Sequence, residues 1–200
     1  MTTQQRLAIV RGGLIPNRSP KGGRSYQDVR GLISYIAFGR YQYGRENQQA
    51  RGIWLDHNGR EKSHAAVLDW AKKKVHHFGY EYSYQLLLST RHGGLTAEDF
   101  NRVMTKGSEI SDTLDWRLMM HQDTGNQHAH VVLLRKEKLS RARYREWQQA
   151  MQVELSQIQA RRWEQKLEQA EQLQQAQRQL QLESAPAVER RLHRGLEVGL

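Results

Sequence analysis

Three histidines carry the first chemistry legible in this chain: His121, His128 and His130. Two of them stand at i and i+2 in the apolar run from His128 to Leu134, and the third closes a second run, Asp115 to His121. Side chains alternate faces along a strand, so His128, His130 and Val132 share one face, while His121 points away from Trp116, Leu118 and Met120. If the two runs pair as a hairpin across the polar loop Gln122 to Gln127, their ends lie about 5 Å apart. His121 then joins the other two where its side chain falls on their face. Three imidazoles converging at the end of a hairpin make a facial metal site with open positions, which catalysis uses and a closed structural site lacks. One histidine in a strand is usually surface or satisfied core, and a pair at i and i+2 is ambiguous. The third at a matching position points to a metal.

The chain has no cysteine, so no thiolate can share that metal and only histidine and carboxylate remain as ligands. Asp123 lies two residues beyond His121. It is a candidate ligand, a carboxylate that orients an imidazole, or an acceptor for a nucleophile's proton. Equally, an Asp ahead of Thr124-Gly125 is an ordinary turn former. Neutral imidazoles accept Zn, Mn and Ni, and Mg less readily. The expected cofactor is a divalent metal, Mn or Mg first, with Zn or Ni as alternatives.

The elements that must position these residues read as a mixture of strands and helices. Arg6 to Ile15 is a short strand or extended entry ended by Pro16, and Asn17 to Arg24 is a breaker-rich loop. Ser25 is placed to cap a helix reaching Phe38 and stopped by Gly39. Asn58-Gly59 marks a hairpin turn within Ile53 to Glu61. Ser63 caps a second helix closed by Gly79, with Ala66, Val67, Trp70, Ala71 and Val75 apolar on one face. Tyr82 to Thr90 is a strand, and Thr96 with Asp99 forms a variant capping box for a helix to about Glu109. After Leu139 the pattern is helical and rich in Gln. Its first half carries Tyr144, Trp147, Met151, Leu155 and Ile158 as a packing stripe, and a thinner stripe of Leu167, Ala170, Leu173 and Leu180 follows on a half expected to project. The expected organisation is a catalytic domain over 1–140, a long helix over 141–183 and a flexible tail over 184–200.

At 200 residues the chain can bury one real core, and its net charge of +10 favours a polyanionic partner. Charge alone does not separate nucleic acid from an acidic membrane surface. There is no apolar run of about 18 residues, and Met1 to Arg11 is too short an apolar stretch for a secretory signal. A cytoplasmic location is the expectation.

The segment from His121 through Asp123 to His128-Ala129-His130 resembles the histidine motif of the relaxase and mobilisation nucleases, the HUH endonucleases of plasmid transfer. It is most similar to the P-type mobilisation relaxases, which include the T-DNA border nuclease. Members carry a first His, an acid two residues later, and a His-U-His pair seven and nine residues after the first. Here U is Ala129, and Asn126 stands where many members have another His. The resemblance runs more loosely from Ser25 to Arg135 and leaves the Gln-rich helix unexplained. It implies an α+β fold, a central antiparallel sheet flanked by helices with the metal on its central hairpin. It also implies an activity: strand-specific nicking and religation of DNA at a transfer origin through a 5′-phosphotyrosine link. Origin-of-transfer DNA, relaxosome accessory proteins and coupling proteins are the implied partners.

In relaxases the attacking tyrosine precedes the histidines. Tyr35, embedded in Leu32 to Phe38, matches the family's short apolar helix and is the first candidate, ahead of Tyr41, Tyr43 and Tyr26. It falls roughly 110° from the centre of the apolar face formed by Val29, Leu32, Ile33 and Ile36, so it is not an obvious core residue. Tyr144 follows the histidines, the order of a transposase or replication initiator, but it also begins the packing stripe.

Arg11, Arg18, Lys21, Arg24, Arg30, Arg40, Arg45 and Arg51 surround the tyrosine region, opposed there by Asp28 and Glu46. A second basic cluster, which includes Arg135, Lys136 and Lys138, follows directly on the histidine strand. Solvated faces explain most charge runs in a neutral protein; in one this basic, tracking of a phosphate backbone is the better account. Arg24, Arg40, Arg45, Arg135, Lys136 and Lys138 are the expected DNA contacts, with Tyr41 and Tyr43 placed to stack unpaired bases. A third reading is a non-enzymatic DNA-binding accessory protein whose histidines hold a structural metal.

Overall fold

The computed structural model describes residues 8–19, 21–39, 50–90, 94–112, 115–121 and 127–184. Among these the chain order is β1 (Ala8–Pro16), α1 (Gln27–Phe38), β2 (Trp54–Asp56), β3 (Glu61–Lys62), α2 (His64–His76), β4 (Tyr82–Thr90), α3 (Ala97–Ser111), β5 (Trp116–His121), β6 (His128–Arg135) and α4 (Arg141–Ser184). The fold is α+β. Its strands form one antiparallel sheet in the order β1-β4-β6-β5-β2-β3, which places β6 in the interior. No helix among the described residues is long and apolar enough to cross a membrane.

Local chemistry explains the boundaries. The Ser63 hydroxyl accepts the Ala66 N–H at the start of α2. Thr96 and Asp99 exchange hydrogen bonds as a full capping box at the start of α3. In the β2–β3 turn the Asp56 carboxylate accepts the N–H groups of Asn58 and Arg60, and Gly59 takes a positive φ of 75°. The start of α1 departs from expectation. Tyr26 is its N-cap with no side-chain cap, and Ser25 instead accepts the Gln27 N–H at 3.2 Å.

Alternation along the strands divides the core by sheet face. On one side Trp116, Leu118 and Met120 of β5 and Ala129, Val131 and Leu133 of β6 pack with Phe100, Val103 and Met104 of α3 and Trp147, Met151, Leu155 and Ile158 of α4. Gly107 permits the close approach of α3 to α4: a Cβ there would lie 2.7 Å from both Met151 Cγ and Trp147 Nε1. On the other side Met119, Val132 and Leu134 pack with Trp54, with Val29, Leu32, Ile33, Ile36 and Ala37 of α1, and with Val67, Ala71 and Val75 of α2.

The first part of the Gln-rich helix has a definite task. Strand β1 lies at one edge of the sheet, where backbone groups lack a second strand to pair with. Gln152 accepts the Val10 N–H at 2.9 Å and donates to the Ala8 carbonyl at 2.7 Å, while Gln148 donates to the Val10 carbonyl at 3.2 Å. Glutamine amides supply both donor and acceptor, so two of them serve the edge as a strand would. The chain divides into two compact units, Met1–Gln159 and Ala160–Leu200. In the second, residues 160–184 are helical and Trp163, Leu167, Leu173, Leu180 and Leu182 are exposed.

Candidate metal centre

Register decides which side chains meet at the end of the β5–β6 ladder. His121 sits directly opposite His128, and His130 sits opposite Met119. Met119 and Val132 belong to the core beneath α1 and α2, so His121, His128 and His130, each two residues from one of them or from one another, share that face. The strand alternation expected from sequence therefore holds for all three rings. One ligand atom from each lies within 4.8 Å of the others. His121 Nδ1 and His128 Nε2 are 3.2 Å apart, and the ring centroids are separated by 4.8 to 5.3 Å. His121 is fully buried and the other two are half-buried.

Two imidazole nitrogens bound to one zinc at 2.0–2.1 Å stand about 3.4 Å apart at the tetrahedral angle, close to the 3.2 Å between His121 Nδ1 and His128 Nε2. The electrostatics agree. Burial, then the neighbouring His121 and His128, then the Arg51 guanidinium hold the His130 imidazole down at about 4. A neutral ring at neutral pH is the ligand form of histidine. Its Nδ1 is buried without a hydrogen-bond partner among the described residues. Such an atom costs free energy unless something occupies its lone pair or takes its proton. No described carboxylate joins the group. The histidines can hold a metal ion, and nothing in their geometry chooses among Mn, Mg, Zn and Ni.

Asp123 falls outside the described residues, as do Arg40, Tyr41, Tyr43 and Arg45. Tyr35 is described. It lies on α1, the helix packed over the histidine-bearing face, and its side chain is 44% exposed. No hydrogen bond or ring contact joins it to the three histidines. Tyr26 is held elsewhere, its hydroxyl donating to the Leu68 carbonyl at 3.1 Å. Tyr144 lies on the opposite face of the sheet, within the α3–α4 core, stacked on Tyr84 with ring centroids 5.9 Å apart. Burial raises its hydroxyl's pKa, the reverse of activation.

The remaining basic positions separate by location. Arg135 ends β6, and Lys136 and Lys138 follow it, at the end of the ladder away from His128; Arg24 is held near that same end by Glu81, 3.9 Å away. A described basic residue that does stand by the histidines is Arg51, which the sequence placed only within a diffuse basic region. Its N–H donates to the Ala37 carbonyl at the end of α1, and its charge bears on His130. The adjacent Gly52 presses so closely on the Met120 carbonyl that a Cβ would collide with it. That Arg-Gly pair was the available signal, since only a glycine allows backbone to cross backbone at this distance.

Comparison of the chain with protein-family models, with curated proteins and with solved structures finds no match.

Proposed function

We propose that this protein is a DNA strand transesterase of the relaxase kind, nicking and rejoining one strand at a transfer origin. The observation that carries the reading is the convergence of His121, His128 and His130 on the sheet face covered by the tyrosine-bearing α1. A divalent metal held by these imidazoles would supply charge neutralisation at a scissile phosphate. Arg51 adds a fixed positive charge beside His130 for the same anion. The Tyr35 hydroxyl is the nucleophile: it gives up its proton as its oxygen bonds to phosphorus, the bond from phosphorus to the 3′ oxygen breaks, and the leaving oxygen takes up a proton as the 3′-OH. The phosphotyrosine conserves the bond energy for rejoining. Because Tyr35 reaches solvent on α1 and Tyr144 is enclosed on the other face, the upstream tyrosine is favoured over the transposase-like alternative.

The test is covalent capture. Supercoiled or single-stranded DNA carrying the transfer-origin region is incubated with the protein and Mn or Mg, and an SDS-resistant adduct is sought. The adduct is expected with the unaltered chain and with Tyr144→Phe, and not with Tyr35→Phe. Loss in Tyr144→Phe alone would favour the transposase order. Absence of both adduct and metal-dependent cleavage would leave a DNA-binding accessory protein.

A further inference from the structure

The end of the sheet remote from the histidines carries an aromatic and basic surface that the proposed chemistry does not use. Between His128 and Arg135 the strand β6 runs seven residue steps, roughly 23 Å. There the turn from α2 into β4 holds Phe78 outward, 58% exposed. The conformation is fixed: the Phe78 N–H donates to the Lys73 carbonyl, and Gly79 reverses the chain at φ 73°. Lys74 Nζ stands 5.8 Å from the Phe78 ring centroid and 4.8 Å from that of Tyr80, and Lys136 Nζ lies 5.9 Å from Tyr80. The Arg24 guanidinium lies over Gly79, where a Cβ would come within 3.1 Å of it. Arg24 and Arg18 share the single carboxylate of Glu81, at 3.9 and 2.6 Å, while both side chains stay about half exposed. Lys74 in turn shares Asp115 with Arg117. Two cations to each carboxylate, with Lys136 besides, leave the patch positive.

We propose that Phe78 and Tyr80, ringed by Arg18, Arg24, Lys74 and Lys136, form a second contact surface for single-stranded nucleic acid, separate from the histidine centre. The choice of nucleic acid rests on the function proposed above; the surface rests on its own geometry. An exposed phenylalanine among cations offers a base a stacking face, and the guanidinium and ammonium groups offer contacts to the flanking phosphates. A strand held here and at the histidines is gripped at two points a few nucleotides apart, so the far patch sets which stretch of strand reaches the metal.

The experiment follows the anisotropy of a labelled oligothymidylate of about 16 nucleotides mixed with the full chain in EDTA, so that no metal contributes. Phe78→Ala is expected to weaken binding about tenfold with an unchanged salt slope, and Phe78→Trp to restore it. Arg24→Ala combined with Lys136→Ala is expected to reduce the slope of log affinity against log salt by about 1.4, the value for two phosphate contacts on a single strand. Circular dichroism and metal binding at the histidines check that each variant is folded. Unaltered oligonucleotide affinity in both variants would overturn the proposal. So would loss of binding to phosphatidylserine vesicles with oligonucleotide binding retained, which would assign the patch to a lipid surface. If no adduct forms at the histidine centre but oligonucleotide binding still depends on Phe78, the transesterase reading fails and this surface stands.

Discussion

The two ends of β6 treat charge in opposite ways. At the Arg135 end carboxylates accompany the cations: Glu81 faces Arg18 and Arg24, and Asp115 faces Lys74 and Arg117 while accepting the Trp70 N–H. Those pairings hold the Asp115 carboxyl below its usual range against the opposing effect of burial, and they raise Lys74. At the His128 end three imidazoles crowd together without a described carboxylate, and the nearby Arg51 makes a proton still less welcome. In the first arrangement the protein supplies counter-charges of its own. In the second, burial and neighbouring charge perturb His130, and perturbation of this kind concentrates at functional sites. One strand thus links a region where cations share carboxylates to one whose three imidazoles could hold a metal ion.

The most direct way to break this contrast is to remove the ligand set. His128→Ala with His130→Ala is expected to lower divalent-metal affinity by at least about 100-fold, more than loss of a supporting partner does. Isothermal titration with Mn and Zn reads the change, and salt-sensitive oligonucleotide binding should survive it. If metal affinity were unaltered, the histidines would be a packing cluster. A smaller effect comes from the backbone that delivers Arg51. Gly52→Ala must push the segment off the Met120 carbonyl and is expected to cost about 1–3 kcal/mol of stability. Metal affinity should fall with it, because His121 follows Met120 directly. Gly13→Ala is the control: its added methyl meets nothing within 4 Å, and thermal denaturation should barely move.

Much of this was legible in the sequence, for a common physical reason. The Ser63 cap, the Thr96–Asp99 box, the Asn58-Gly59 turn and the alternation that gathers the histidines depend on residues close together in the chain. The strand order, with β6 enclosed by β4 and β5, depends on pairings between distant segments and could not be read locally. The same limit hid how far Arg135 and Lys136 lie from the histidines. Arg135 ends the histidine strand and Lys136 follows it, yet an extended strand carries its two ends far apart. The Gln-rich helix was opaque because its glutamines matter through the bare edge of β1, at the other end of the chain.

The pH dependence sharpens the comparison. Folded His130 titrates near 4, while an unfolded histidine titrates near 6.5. As pH falls below 6.5 the unfolded chain takes up the proton first, so stability present above that value is lost as pH approaches 4. Metal-free protein is expected to lose about 2 kcal/mol between pH 6.5 and pH 5. His130→Gln should flatten that part of the urea-denaturation profile. An equal loss in the variant would assign the acid sensitivity elsewhere.

The smallest expected effect tests the settled end of the strand. Glu81→Gln removes the carboxylate shared by Arg18 and Arg24, but all three side chains reach water, where an ion pair contributes little net stability. The melting temperature should therefore stay essentially unchanged. Oligonucleotide affinity at low salt should rise a few-fold, because both guanidiniums lose their internal competitor for phosphate, and the gain should fade as salt screens it. A marked fall in melting temperature would mean that the counter-charges at this end are structural ties, so that a phosphate could not replace them. A rise in affinity without loss of stability would instead mark them as placeholders for an external anion, which brings the two ends of β6 closer in kind than their charges imply.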